Sequence, residues 1–549
     1  MRLRIRLRQF CYFVLSVVAA VAMQRQLPAD EAVIDVSGYA NSQEALRAGE
    51  QYETSRQWIE AIEFYEKSLK RWEKDQSLSY ALRRTRIHFG IDRRYTDRSF
   101  EEKLLKQGRS ESLDLFQDIL DRIQLEYVDT ISVTRFVAHG TESLYMALGN
   151  ERFLSHNIPE NMLPGAEKLR ETLRQEYWNR RLASRAEARS LISRICDLSR
   201  RECGLDATAV VMEFIFGGCN ALDEYSNFLT PDRYSELFGS IQGELVGIGI
   251  EMKAVKGRGM HLVNVLLDSP AEDGGLRPED HIVEIDGSDC RDISIDEAAR
   301  LLKGPGGTRV TLTWEQPSGA RNSGSFTRRR VHIRSVTRSV ILDSEKGIGY
   351  IRQEGFQNST VEELDEALRS LERQGMKALI WDLRNNPGGL LETAAAVVDR
   401  FIDDGVIVTT RGRSSEQNQV FPAHPNNTRQ YPLVLLVDEN SASASEIVAG
   451  AIHDHKRGVI VGRKTYGKWS VQSIIHLSGD TGLKLTTARF YSPSNGNFSG
   501  TGLAPDVEVP QPENALRTYY RGRKPDELLA DEDIARAMDV LEQKMFTRK

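Results

Sequence analysis

From Gln43 to Phe89 the apolar residues recur at helical spacing, and the stretch from 100 to 238 continues the pattern through LDLFQDILDRIQLEYVD, LRETLRQEYWNRRLASRAEARSLISRI and AVVMEFIFGGCNALDEYSNFLTP. Both regions predict helices that bury one face. The texture changes at Gly243. Up to about 330, short β-type runs alternate with Gly, Pro and Asp turns. A single helix interrupts them in SIDEAARLLKGPGG, where Ser294 and Glu297 form a capping box ahead of Ile295, Ala298, Leu301 and Leu302. From about 335 the order becomes strand, helix, strand, with the helices TVEELDEALRSLERQG and LLETAAAVVDRFI between the strands of KALIWDLRNNPGG and YPLVLLVDEN. A strand that is apolar on both faces belongs in a sheet covered on both sides, so this part predicts an α/β core. With 549 residues the chain exceeds what one core holds, and several domains are expected.

The first 26 residues break the pattern: MRLRIRLRQ carries four arginines, FCYFVLSVVAAVAM is an apolar run of about fourteen, and polar sequence follows. This is the layout of an export signal with Ala20-Val21-Ala22 as a small-x-small cleavage site, and an uncleaved anchor is the alternative. Export to the periplasm, or anchoring on the outer face of the cytoplasmic membrane, is the expected location. A net charge of -6 from 73 basic and 79 acidic residues supplies no field for nucleic acid, so proteins are the expected partners. Outside the signal lie Cys196, Cys203, Cys219 and Cys290, whose spacing fits no metal site. Buried thiols are expected, with one bridge among the first three as the alternative.

Ligands of open α/β sheets gather at the carboxyl ends of the strands. There DENSASASEIVAGAIHDH places Ser441, Ser443 and Ser445 just before a helix, where free N–H groups and the positive end of the dipole stabilise negative charge. Gly388 and Gly389 end the other strand and can turn a second N–H to the same point, as an oxyanion hole requires. Serines before a helix are also ordinary N-caps, so a proton acceptor must decide. VGRKTYGKWSVQSIIHL offers Lys464 and Lys468, and an extended backbone would set Lys468 and Gln472 on one face. At an ordinary pKa of about 10.4 only about one amine in a few thousand is neutral at pH 7, and burial can lower that pKa by up to about 3 to 5 units. Tyr466, Trp469 and Val471 are the expected apolar wall. A Ser-His-Asp arrangement through His453 and Asp382 competes, but helical spacing puts His453 about 15 Å from Ser443. His453 and His455 as a metal pair have no third ligand in view.

From 243 to 330 the order of a GIGI loop leading into a strand, a SPAEDGGL turn, IVEIDG, one helix and a closing strand resembles a PDZ domain of the bacterial protease type. Such a domain adds a peptide strand to its sheet edge, with Gly247, Ile248, Gly249 and Ile250 capturing a terminal carboxylate. Gly49, Tyr52, Ala61 and Tyr65 fall where a tetratricopeptide repeat places its packing residues, in one legible copy; a docked helical hairpin is the alternative. With LDEYSNFLTP, GIGYIRQEGF, DLRNNPGGLL, SASASEIVAGAIHDHKRGVIVGRKTYGKWSVQ and LKLTTARFYSPSNGNFSGTGLAPDVEV, about 110 to 150 and 215 to 510 resemble the carboxyl-terminal processing peptidases, or tail-specific proteases. The resemblance implies Ser443 as nucleophile, Lys468 as general base, Gln472 as the residue orienting the lysine, and the Ala444 N–H with Gly388 or Gly389 as oxyanion hole. It also implies tail recognition by the PDZ domain and no metal or organic cofactor. Trp469 stands where the family usually has glycine, DEN replaces a glycine-rich entry, and Glu224-Tyr225 replace a common proline and histidine.

The expected whole is a multi-domain α+β protein: signal or anchor at 1–22, TPR-like helices at 40–98, and helical peptidase segment at 99–242 with an insertion at about 150–210. A PDZ domain at 243–330, a ClpP/crotonase-like α/β serine peptidase core at 335–515 and a helical tail at 516–549 complete it. The expected activity is that of an exported serine endopeptidase cutting proteins at or near exposed C-terminal tails through a Ser-Lys dyad; the alternative is a non-catalytic PDZ and TPR-like scaffold. Membrane association through the N-terminal segment, and a homo-oligomer or adaptor contact through the helices, stay open.

Overall fold

The computed structural model describes residues 14–16, 34–425, 428–510 and 528–547. The expected cleavage site at 20–22 and residues 516–527 of the expected tail lie outside the described residues. After strand β1 (Val14–Ser16) come helices α1 (Ser42–Thr54), α2 (Trp58–Arg71) and α3 (Gln76–Arg94). The Asn41 side chain caps α1 by accepting the Glu44 N–H at 3.0 Å. Gly49 lets α1 lie on Tyr65, since a Cβ there would stand 2.3 Å from the ring. Ala45, Ala61, Phe64, Tyr65, Leu78 and Ala81 form the small core of this unit.

A larger helical core follows, centred on α4 (Val133–Ala147) against α5 (Ala207–Cys219). Glycines bring the two backbones together: a Cβ at Gly217 would lie 2.6 Å from the His139 carbonyl and 2.9 Å from the Gly140 Cα. Leu169, Leu191, Ile192 and Ile195, from the segment read as an insertion, are buried in this same core. Glu213 of α5 accepts from Arg94 at 2.5 Å and from Ser143 at 2.7 Å, which ties α3 to the larger core. Cys196, Cys203, Cys219 and Cys290 are buried free thiols.

The PDZ-like module is an antiparallel sheet of Ile250–Val255, Gly259–Val265, His281–Ile285, Arg309–Glu315 and Arg321–Thr327, with the short Ser288–Asp289 strand beside His281–Ile285. Its helix Ile295–Leu302 starts as read, with the Ser294 hydroxyl accepting the Glu297 N–H at 3.2 Å. Gly247 belongs to a separate two-stranded ribbon, Glu244–Gly247 with Arg329–His332, and Ile248 is buried. Gly249 turns the chain at φ +82, where a Cβ would meet Ser269 at 2.3 Å.

The remainder runs β2 (Ile348–Gln353), α6 (Thr360–Arg373), β3 (Ala378–Asp382), β4 (Gly389–Leu390), α7 (Leu391–Val398), β5 (Leu433–Val437), α8 (Ala444–Asp454), β6 (Val459–Gly462), β7 (Ser470–His476), β8 (Gly482–Tyr491) and α9 (Glu532–Thr547). β2, β3, β5 and β6 are parallel neighbours in a six-stranded sheet. Side chains alternate between its two covers: Leu379, Trp381, Leu435 and Val437 pack with α6, α7 and α8, whereas Ala378, Ile380, Val434 and Leu436 pack with α9. An antiparallel sheet lies alongside in the order β4, β1, β7, β8, Val406–Gly412, Gln419–Pro422, and Asn227–Leu229 pairs with β8. β1 is antiparallel to both neighbours, with Ser16 opposite Gly389 and Leu15 opposite Gln472.

Candidate active site

The loops after β3 and β5 meet, and the three serines part company there. The Ser441 hydroxyl donates to the Leu383 carbonyl at 2.8 Å and accepts the Asp438 N–H at 2.9 Å, while the Ser445 hydroxyl donates to the Asn386 carbonyl at 2.9 Å. Both stitch one loop to the other. Ser443 alone has a left-handed backbone, φ 58 and ψ -113, immediately before α8. Such a conformation in a non-glycine residue costs about 1–3 kcal/mol and clusters at functional turns between strand and helix. Gly388, at φ +106, touches this turn: a Cβ on it would lie 2.8 Å from the Ser443 Cβ and 2.9 Å from the Ala444 nitrogen. The Gly388 N–H is committed to the Asn386 side chain at 2.9 Å. Gly389 is strand-paired with Ser16 on one side and Phe356 on the other. Ala444 opens α8, so its N–H is among the first-turn donors that have no partner within the helix.

One residue that the spacing argument overlooked holds the site together. Glu446, fully buried, accepts five hydrogen bonds: from the Ser443 N–H at 2.9 Å, the Lys468 N–H at 2.8 Å, the Gly467 N–H at 2.7 Å, the Thr465 hydroxyl at 2.7 Å and the Trp469 indole at 3.1 Å. Burial pushes its carboxyl above the usual range, and the hydrogen bonds oppose that by favouring the anion. The Ser-x-x-Glu spacing of a capping box was the available signal.

Lys468 is buried at 1 % exposure, and its Nζ has no hydrogen bond among the described residues. Burial, then the charge of Lys484, moves its pKa well below the ordinary lysine value, against the pull of Asp223, Glu446 and Glu224. The wall around the amine differs from the one read in the sequence. Trp469 and Val471 turn into the core, Trp469 packing on Phe490 at 4.7 Å and Phe498 at 4.9 Å between ring centroids, and Tyr466 is half exposed. Tyr225 supplies the wall instead, with Nζ 4.9 Å from its ring centroid. Lys468 lies in the loop before β7 begins at Ser470, so strand alternation does not extend to it, and the register shift opposite Val471 and Gln472 leaves the extra residue, Thr487, on β8. The Gln472 amide donates to Ser470 at 2.9 Å and Thr486 at 3.2 Å, its carbonyl oxygen is buried without a hydrogen bond, and no hydrogen bond joins it to Lys468.

The histidine arrangement does not form. His453 lies at the far end of α8 against Asp454 at 3.0 Å. Asp382 is enclosed by Tyr350 at 2.8 Å, Arg384 at 2.7 Å and Arg352 at 3.1 Å. Its burial alone would raise the carboxyl, but the Arg384 and Arg352 charges outweigh that and hold it well below the usual carboxylate range. Arg384 continues to Asp531 at 2.9 Å and Asp533 at 2.7 Å, so the loop before Gly388 is braced by α9 and the residues just before it.

A strained serine at a helix start, a glycine loop against it and a buried lysine nearby define a serine-type protease built on an α/β core with a PDZ domain. Residues 347–509 match the model of peptidase family S41 and residues 262–316 that of a PDZ domain. A carboxyl-terminal-processing protease of Synechocystis sp. is 38% identical over 296 residues, 53% of this chain and 69% of that protein. A carboxy-terminal-processing protease of Bartonella bacilliformis is 35% identical over 327 residues, 58% of this chain and 73% of that protein. Among solved structures, a photosystem II D1 C-terminal processing protease aligns over 72% of this chain and 92% of its own, at 26% identity and a TM-score of 0.38. The chain belongs to the carboxyl-terminal-processing protease family, peptidase family S41. The family, the fold class and the serine-type protease activity expected from the sequence are borne out. Among the described residues no helix is long and apolar enough to cross a membrane.

Proposed function

We propose that this protease cleaves exported proteins at or near their C-terminal tails by acyl transfer to Ser443, with Lys468 as base. Neutral Lys468 takes the Ser443 hydroxyl proton as Oγ attacks the scissile carbonyl. The oxyanion rests on the Ala444 N–H, against which the Gly388 turn packs, and the leaving amine takes the proton from Lys468 as the C–N bond breaks. Water, deprotonated by Lys468, then releases the acid and returns Ser443. The Gln472 carbonyl oxygen, buried and uncommitted, is the acceptor that would orient the amine. Reaching Ser443 and Gln472 requires Nζ to leave the Tyr225 face.

The observation that carries this reading is the shared oxygen of Glu446, which holds the Ser443 and Lys468 backbones at 2.9 and 2.8 Å. β1 supports an extended substrate: one strand fits between Gly389–Leu390 and Gln472–Ser473. The PDZ domain, through Gly249 and Ile250 and the adjoining Gly247 and Ile248, is assigned to the substrate tail, and the N-terminal segment to export. Ser443→Ala and Lys468→Ala should each abolish cleavage of a denatured protein while binding of a tail peptide persists. Cleavage retained by either variant overturns the dyad. Absence of cleavage and of serine-probe labelling in the wild-type protein would favour the scaffold reading.

A further inference from the structure

A second lysine is buried on the strand beside the one that carries Gln472. Lys484 lies on β8 at 8% exposure, opposite Ile474 of β7 and Asn227. Strand alternation puts Leu483 and Leu485 into the helical core and turns Lys484 to the other face with Thr486. Thr486 accepts the Gln472 amide at 3.2 Å and is bonded through its own N–H to the Ser226 hydroxyl at 3.0 Å. Lys484 therefore sits one step along the face that carries Gln472. The 220–226 loop closes the same space, with Tyr225 under the Lys468 amine and Asp223 carrying a buried Oδ1 that has no hydrogen bond.

The charges facing Lys468 can be counted from each element around it. β8 presents Lys484, the 220–226 loop presents Asp223, Glu224 and the Tyr225 hydroxyl, and α8 presents Glu446. Glu446 already accepts five donors, and Glu224 is exposed. Among the described residues around Lys468, Asp223 is thus the carboxylate with a buried oxygen that has no hydrogen bond. One counter-ion neutralises one ammonium, and a second ammonium in the same low-dielectric space is repelled. The more buried amine, Lys468, sheds its proton, and the amine with slight solvent access, Lys484, keeps it.

We propose that Lys484 is a positioning residue for the base: its ammonium, on the strand face that carries Gln472, is the like charge that the Lys468 amine meets at the moment of attack. The proposal rests on the Ser443–Lys468 reading and adds a residue that touches neither the substrate nor Ser443. Lys484 itself is drawn by burial to a pKa of about 8, with Asp223 opposing, so its charge persists at neutral pH and fades in alkaline solution. The two lysines titrate as a coupled pair.

The test is the pH profile of Ser443 acylation by a fluorophosphonate probe on the full chain. Lys484→Gln should move the acid limb upward by about one pH unit, making labelling about tenfold slower below the limb. Lys484→Arg, which cannot lose its charge, should keep the wild-type limb. Asp223→Asn should move the limb the opposite way, to lower pH, since an attraction for the Lys468 proton is removed. An acid limb that stays in place in both Lys484→Gln and Asp223→Asn overturns the proposal. Should Lys484→Gln not fold, a limb unmoved in Asp223→Asn alone overturns it. Undiminished labelling in Lys468→Ala would instead defeat the dyad on which it rests.

Discussion

The two sheets of the peptidase core bury their strands to opposite ends. In the parallel sheet, β5 is Leu-Val-Leu-Leu-Val, buried at every position, and its chemistry begins only where the strand stops. In the antiparallel sheet the buried positions of β7 and β8 include Ser470, Gln472, Ser473, Lys484, Thr486 and Thr487. The first sheet holds its loops on an apolar base, with the loop after β3 braced by the ion pairs of Arg384 to Asp382, Asp531 and Asp533. The second carries reactive groups on its strands and leaves some of them without partners, as with the Gln472 oxygen and the Asp223 oxygen in the adjoining loop. Burying polar groups unpaired costs stability, and it is tolerated where the groups act. Ser443 sits on the seam, delivered by one sheet and facing the other.

Ser443→Ala removes the group the seam exists to present and should lower turnover by at least about 10⁴-fold, read by single-turnover cleavage, with the melting temperature unchanged. Gly388→Ala tests the approach of the glycine loop. Its Cβ would press on Ser443 at 2.8 Å and obstruct the Ala444 N–H, so turnover should fall by about 10²–10³-fold at near-constant KM. Leu435→Ala, in the apolar sheet, should have the reverse signature, with about 2–5 kcal/mol lost in denaturant unfolding and unchanged turnover per folded molecule. Equal loss of activity and stability in all three would erase the distinction between the sheets. Trp469→Phe keeps the packing on Phe490 but removes one of five donors to Glu446, and a loss of up to about tenfold in turnover is expected.

The pH dependence sharpens the contrast further. The folded-state pKa of Lys468 is lowered, so its neutral form, and with it turnover, should increase as pH rises through that lowered value and persist in alkali. For stability the sign follows from Lys484, at about 8 when folded against about 10.4 unfolded. Between these values the unfolded chain binds more protons, so stability from this group rises with pH. Lys484→Met should flatten that rise in melting temperature, and a steeper rise would contradict it.

Much of this was legible in the chain itself. The apolar run of β5, the cap at Ser294 and the small residues around Gly49 are local signals, and each forms the element it announced. The wall around Lys468 was not legible, because Tyr225 reaches it from 243 positions upstream while the neighbouring Trp469 turns away. Nor was the choice among the serines available from spacing: Ser441 and Ser445 are set aside by carbonyls of another loop, 58 and 59 residues distant.

By itself the sequence determined where the main helices and the apolar strands of the parallel sheet would lie, that two glycines and a serine run would close two adjacent strands, and that a lysine would follow. Those features depend on periodicity and propensity acting over a few residues. Val14–Ser16, read as part of an export signal, is instead a strand of the antiparallel sheet. Tertiary structure alone decided that Ser443 takes the strained turn, that Glu446 gathers five donors, and that Lys484 shares the strand face of Gln472. Burial and hydrogen-bond satisfaction join residues far apart in the chain, such as Ser226 and Thr486 at a separation of 260, and no local pattern encodes which of them will meet.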